Sequence, residues 1–318
     1  MENVWQALDH ENIFRAVEKT LATKLSSLLI QRNSYINRVY ELEKKEGKER
    51  FIVKLYRPGR WTKDMILEEH DFLDVLASKD IPVIKPMTIS GKTLFSLDNI
   101  MYAVFPKKGG RAVDEFDRES WENIGRHLAR IHSVGETRKH SKRIQWKPGI
   151  ATKHHIQILK RTDFIPPDFR KSFDNASDLF LKKFEKAFDG CEAILIHGDC
   201  HKGNLIFRPS EGIWIIDFDD LCVGPPVQDL WMLLPGPVED SQNELSWFLK
   251  GYETFRKFDT GTLKLIPALR GMRMIHFVSW LAIQSKDPYF SNHFPDTGSP
   301  RYWTELIREL QQIVHGSL

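Results

Sequence analysis

The apolar positions of this 318-residue chain change their spacing along its length. Tyr35, Ile36, Val39, Tyr40 and Leu42, then Phe51, Ile52, Val53, Leu55 and Tyr56, make two runs rich in β-branched and aromatic residues, as strands do. The polar stretch 43–50 between them contains Gly47 and predicts a hairpin turn. From Thr62 the period lengthens. Met65, Glu69, Phe72 and Leu76 recur three or four apart, which predicts a helix capped by Thr62 and reaching Ala77. Two further strand-like runs, 93–97 and 101–105, end at Pro106 and Gly109-Gly110.

Beyond Arg111 the helical period dominates. Trp121, Ile124, Leu128 and Ile131 predict a helix closed by Gly135. A polar stretch over 136–150 leads to another helical region around 170–188. Ala193–Ile196 and Gly212–Asp217 then read as the short strands of one hairpin around a loop dense in His, Asp, Gly and Asn. Residues 241–258, 263–285 and 300–314 read as helices, with Trp231, Trp247 and Trp280 as helical core. Strands followed by helices predict an α+β, bilobal fold. The expected N-lobe is residues 1–106, a small sheet with one helix; the C-lobe is 107–318, mainly helical, with the hinge at 106–110.

Composition narrows the classes. With 41% hydrophobic and 28% charged residues the chain is an ordinary globular protein, and a formal net charge of +3 does not favour nucleic acid. Cys191, Cys200 and Cys222 are too sparse for a disulfide framework and suit a reducing cytosol. The first 16 residues lack an apolar core of signal-peptide type, and no stretch approaches the roughly 20 apolar residues of a membrane span. A cytoplasmic protein is expected, with no membrane partner.

The chemistry concentrates in His197-Gly198-Asp199-Cys200-His201-Lys202-Gly203-Asn204, followed by Trp214-Ile215-Ile216-Asp217-Phe218. Phosphoryl transfer asks for a carboxylate at the attacking hydroxyl, oxygen ligands for Mg2+ and a cation on the phosphates. Asp199 precedes Asn204 by five positions, as in the kinase loop H-R-D-x-x-x-x-N, and Asp217 opens Asp-Phe-Asp where kinases have Asp-Phe-Gly. Asp199 is therefore read as the catalytic base, and Asn204 and Asp217 as Mg2+ ligands. Lys54, inside an apolar strand, is expected to pair with Glu69 on the apolar face of the next helix, with Glu68 as the alternative partner, and to hold the phosphates of ATP. No G-x-G-x-x-G covers the phosphates; Asn33 and Ser34 occupy that place, and Ser34 could offer its N–H and hydroxyl.

The neighbouring residues admit plainer roles. His197, Cys200 and His201 have no second His/Cys cluster to complete a zinc site, so His197 is expected to orient Asp199 within the loop. Asp219 and Asp220 read as turn or capping residues, and Asp229 as a helix-start residue holding the catalytic loop. Arg270, Arg273 and His276, three apart, read as a solvated basic face; lining the cleft, they would suit an acidic or phosphorylated substrate.

Together, Asn-Ser-Tyr-Ile-Asn-Arg-Val-Tyr (33–40), Val-Lys-Leu-Tyr-Arg-Pro-Gly-Arg-Trp (53–61), Ile-Leu-Glu-Glu-His (66–70), the 197–204 loop and Gly-Pro-Pro-Val-Gln-Asp-Leu-Trp-Met-Leu-Leu (224–234) resemble the aminoglycoside phosphotransferase and choline kinase superfamily. The strings are most similar to its bacterial stress-response Ser/Thr kinases. The resemblance implies a protein-kinase-like fold, Asp199 as proton acceptor, Mg2+ on Asn204 and Asp217, and Ser34 in the nucleotide loop. It further implies a cytoplasmic monomer that phosphorylates itself and other proteins on Ser or Thr. No Ala-Pro-Glu segment follows Asp217, so the peptide platform of ordinary protein kinases is missing. Two other readings stand beside this one: a kinase of amino alcohols, sugars or aminoglycosides, and a nucleotide-binding protein without turnover.

Overall fold

The computed structural model describes residue 5 and residues 8–32, 34–113, 115–287 and 290–316. Helix α1 (His10–Leu21) opens the chain, its first turn capped by the Asp9 carboxylate. An antiparallel sheet follows, from β1 (Leu25–Arg32), β2 (Arg38–Lys44) and β3 (Arg50–Leu55). Helix α2 (Lys63–Ser78) comes next, then β4 (Phe95–Leu97) and β5 (Ile100–Pro106), giving the order β1-β2-β3-β5-β4. Thr62 caps α2 by accepting the Met65 N–H, and the turn between β2 and β3 falls where Gly47 predicts it.

Strand alternation gives the sheet two different faces. Tyr40, Leu42, Phe51, Val53, Leu55, Tyr102 and Val104 are buried on one of them beneath Ile13 and Val17 of α1. Lys54, opposite Val39 on β2 and Ala103 on β5, takes the other face, where Tyr56, Ala103 and Phe105 pack with Ile66 of α2. The alternation thus sends Lys54 toward the interior between sheet and helices.

After the two-residue strand β6 (Arg111–Ala112) the chain is mainly helical: α3 (Arg118–Glu136), a π-helical turn (Pro148–Thr152), α4 (Lys153–Lys160) and α5 (Pro167–Phe184). Four short strands then carry the polar loop: β7 (Ile194–Ile196), β8 (Leu205–Arg208), β9 (Gly212–Ile215) and β10 (Cys222–Gly224). Helices α6 (Gln228–Trp231), α7 (Gln242–Tyr252), α8 (Ile266–Gln284), α9 (Phe290–His293) and α10 (Pro300–His315) complete the described chain. One large core joins Trp121, Ile124, Leu128 and Ile131 of α3 to Phe180, Met272, Ile275 and Trp303, and reaches Phe72, Leu73 and Leu76 of α2. The architecture is α+β and bilobal.

Three expectations need correction. Gly135 does not end α3, which runs on to Glu136; a Cβ there would stand 1.9 Å from the Leu195 carbonyl oxygen, so this glycine admits β7 against the helix. The strands 193–196 and 212–217 are not each other's partners. β7 pairs with β10 and β9 with β8, two strands too short to show a period. Trp280 is half-buried, stacked on Phe277 with Tyr35 and Phe294 at its edges, and so stands outside the core.

Among the described residues no helix is long and apolar enough to cross a membrane.

Candidate active site

The loop after β7 is held by a buried carboxylate. Asp229, in the first turn of α6, accepts the backbone N–H of His197 and of Gly198, each at 2.8 Å. Its Oδ2 also meets His132 Nε2 at 3.1 Å, while His132 Nδ1 lies 2.8 Å from the Tyr252 hydroxyl. A carboxylate only accepts, so His132 donates from Nε2 and takes the Tyr252 proton at Nδ1. All three side chains are buried. Asp229 therefore does hold the catalytic loop, and α3 and α7 brace it from behind. Gln228 adds a 3.0 Å bond to the Gly198 carbonyl.

His197 acts as expected. Its Nε2 donates to the Ile216 carbonyl at 2.9 Å, and its Nδ1 accepts the Asp199 N–H at 3.3 Å. One imidazole thereby ties the Asp199 loop to the strand end that carries Asp217. Gly198 has φ +83°, and a Cβ would stand 2.2 Å from the Asp220 carbonyl oxygen, so the turn that presents Asp199 is closed to larger residues. Asn204 Nδ2 donates to the Asp199 carbonyl at 2.9 Å, and its Oδ1 receives no hydrogen bond from the described residues.

Asp217 follows β9 with φ 62° and ψ 68°, and its side chain is 52% exposed. That left-handed backbone, uncommon outside glycine, turns the carboxylate away from the line of the strand. Asn204 Oδ1 and Asp217 are hard oxygen donors on adjoining segments. Mg2+ prefers one or two such ligands with phosphate and water filling the rest, so these residues fit the metal. Among the described residues no cluster of three or more His, Cys, Asp or Glu could hold a metal, and Cys191, Cys200 and Cys222 are free thiols.

Lys54 departs from expectation in its partner. Its ammonium meets Asp217 Oδ1 at 3.1 Å and, more closely, Asp219 Oδ1. Glu69 is instead 3.6 Å from Arg143, and one of its buried oxygens has no hydrogen-bond partner. Glu68, the alternative, accepts the Lys142 N–H at 3.1 Å on the surface. Glu69 remains close enough to act on Lys54 through its charge: burial lowers the lysine's proton affinity, but Asp217, Asp219 and Glu69 together raise it well above the ordinary value. Burial, with the Asp219 charge added, raises the Glu69 carboxyl in turn.

Asp219 and Asp220 are more than turn residues. Asp219 is buried, accepts from Asn37 Nδ2 at 2.6 Å and lies 3.6 Å from Arg60. Arg60 grips both oxygens of Asp220, at 2.7 and 2.9 Å. Arg143, buried under Trp61, donates to the carbonyls of Asp219 and Met65 and so ties the site to α2. Asn37, Arg60 and Arg143 carry no local signal of this role in the sequence, because each is a common surface residue type. Asp219 did carry a signal, its place in Asp-Phe-Asp.

Ser34 is half-buried in the connection from β1 to β2, next to Tyr35, whose ring lies 4.8 Å from His293 and 5.0 Å from Phe294. Asn33 lies outside the described residues.

Asp199 has two neighbours that can donate to it. Arg273 Nη1 of α8 is 2.5 Å from Oδ1, and His201 Nε2 is 3.5 Å from Oδ2. Burial alone would raise the carboxyl, but the His201 hydrogen bond and the Arg273 charge outweigh it and hold Asp199 well below the usual carboxylate range. The face 270–276 is thus not simply solvated. Arg273 turns into the cleft, Arg270 pairs with Glu309, and His276 is bonded to His155.

The family pattern "Phosphotransferase enzyme family" matches residues 29–266, three quarters of the chain, including Lys54, Asp199, Asn204 and Asp217. The chain belongs to that family. Stress response kinase A of Salmonella choleraesuis (strain SC-B67) is 34% identical over 98% of this chain and 95% of its own length. A Salmonella typhimurium relative, "Serine/threonine protein kinase RdoA", matches equally: 34% over 98% and 95%. In fold the chain is similar to amicoumacin kinase, solved in complex with AMP-PNP, Ca2+ and Ami, with a TM-score of 0.77 at 21% identity over 99% of this chain and 96% of that one. The chain is a kinase of the phosphotransferase fold.

Proposed function

We propose that this kinase moves the γ-phosphoryl group of ATP, with Mg2+, to Ser or Thr hydroxyls of proteins, itself included, in a cytoplasmic stress response. The observation that carries the transfer chemistry is the placement of Asp199, Asn204, Asp217 and Lys54 around one cleft. The Ser/Thr acceptor is supported by the two Salmonella relatives, which match nearly end to end. The small-molecule reading is favoured by solved structures 21% identical or less, which speak to fold alone.

In this reading Asn204 and Asp217 hold the metal, which would neutralise charge on the phosphates. Lys54, carried on β3, supplies a fixed cation on the same side, and Ser34 contributes from the β1–β2 connection. Residues 1–106 form the nucleotide lobe and 107–318 the catalytic one. The acceptor oxygen forms a bond to the γ-phosphorus and loses its proton to Asp199. The bond from that phosphorus to the β,γ-bridging oxygen breaks, releasing ADP. His197 and Asp229 keep the base in place.

The test is transfer from γ-labelled ATP to the chain and to a generic protein, with Mg2+ or with chelator, for wild type and Asp199→Asn. Label on Ser or Thr that needs Mg2+ and falls at least about 10²-fold in the variant is expected. Label passing only to small hydroxyl compounds would overturn the protein acceptor; undiminished transfer by Asp199→Asn would overturn the base.

A further inference from the structure

Arg273 reaches the catalytic carboxylate from a helix that carries no other part of the transfer machinery. Nη1 is spent on Asp199 Oδ1; among the described residues no other acceptor takes its remaining N–H groups, and the side chain is 37% exposed beside an Asp199 that is 23% exposed. A guanidinium half open at this point meets whatever surrounds the acceptor hydroxyl.

The surrounding charges decide what that can be. Asp219 is taken by Lys54 and Asn37, both oxygens of Asp220 by Nη2 of Arg60, and Asp217 by Lys54. Among the described residues the carboxylates of Asp217, Asp219 and Asp220 each already meet a cation, whereas Arg273 and His201 offer donor groups beside Asp199. Aromatic rings that could hold a cation, Phe277 and Trp280, lie about 6 and 10.5 Å further along α8. They stack on one another, with Phe294 and Tyr35 against the Trp280 edge. An amino alcohol would place its ammonium only two carbons from the reacting oxygen, beside the guanidinium and short of the rings.

We propose that Arg273 selects the acceptor, so that this enzyme prefers hydroxyls flanked by carboxylates, as in an acidic peptide, and rejects those beside an ammonium. The inference rests on the Ser/Thr reading and narrows its substrate class.

The experiment compares kcat and KM for two Ser peptides of equal length, one with Asp and one with Lys on either side of the serine. Glycerate and ethanolamine serve as an anionic and a cationic small acceptor. Wild type, Arg273→Gln and Arg273→Lys are assayed at saturating ATP. For wild type kcat/KM is expected to favour the acidic peptide at least about tenfold, mainly through KM; Arg273→Gln abolishes the ratio and Arg273→Lys keeps most of it. A merely structural role would lower both peptides alike. Equal use of the peptides by wild type, or a ratio that survives in Arg273→Gln, overturns the proposal. Transfer to glycerate alone overturns the Ser/Thr reading and upholds the charge rule; transfer to ethanolamine in preference to every other acceptor overturns both.

Discussion

The carboxylate of Asp229 and the backbone of Gly198 meet at 2.8 Å, and the same carboxylate takes the His197 N–H at 2.8 Å. Two consecutive N–H groups at the foot of the catalytic loop thus share one buried acceptor. Asp229→Ala leaves both without a partner and strips His132 of its acceptor as well. Each unpaired buried donor costs about 1–3 kcal/mol, so a loss of roughly 2–5 kcal/mol is expected. Chemical denaturation checks this; a midpoint unchanged in Asp229→Ala would show that the loop is held by other contacts.

Gly198 makes a separate prediction. Alanine there is strained at φ +83° and collides with the Asp220 carbonyl, which belongs to the backbone and has little room to yield. Gly198→Ala is expected to cost about 1–3 kcal/mol and to displace Asp199, lowering kcat more than it raises the KM for ATP. Steady-state kinetics beside a thermal melt measure both. Full activity with an unshifted melt would mean that the loop can take another path.

Lys54 neutralises Asp217 and Asp219 at once. Replacing it by Met leaves two carboxylates facing one another across that space, a like-charge contact that a divalent cation relieves. The variant without nucleotide should melt below wild type, and Mg2+ alone should raise its melting temperature more than that of wild type. Calorimetry with and without MgCl2 decides the matter; an equal response in both proteins would place the metal elsewhere.

Two buried histidines, His70 and His155, and two half-buried ones, His127 and His276, set a pH dependence. Burial is the leading cause for each: His70, His127 and His276 are lowered to about 4 and His155 to about 2, all below the ordinary 6.5. Between pH 6.5 and 4 the unfolded chain binds protons that the native state refuses, so stability is whole above pH 6.5 and falls as the pH drops through that window. Glu69, whose carboxyl is raised, works in the opposite sense with only one proton. The melting temperature should fall from pH 7 to pH 5, less steeply in His155→Gln, where His276 loses the imidazole at 3.0 Å. A flat profile would mean that these rings take up protons in the folded state.

Much of this was legible in the chain itself. The hairpin around Gly47, the cap at Thr62, the long helices and the pairing of an Asp199–Asn204 interval with a later Asp217 are local facts: period, turn chemistry and spacing act within a few residues of each other. β8 and β10, at four and three residues, were too short to show a period, and Gly135 looked like a helix end because a glycine's crowding partner, here Leu195, lies sixty positions away.

What the tertiary structure decided is which charge meets which. By sequence Lys54 and Glu69 were the natural pair, since each is an ion in an apolar setting; the fold puts Asp219, 165 residues distant, on the lysine and turns Arg143 toward the glutamate. Arg273 looked like part of a solvated face, and only the packing of α8 beside the catalytic loop brings it to Asp199. Apolar periodicity specifies that a residue points inward and leaves open what it will find there. A buried charge takes its partner from whichever segment the whole chain packs beside it, because desolvation makes an unpaired ion too costly to keep.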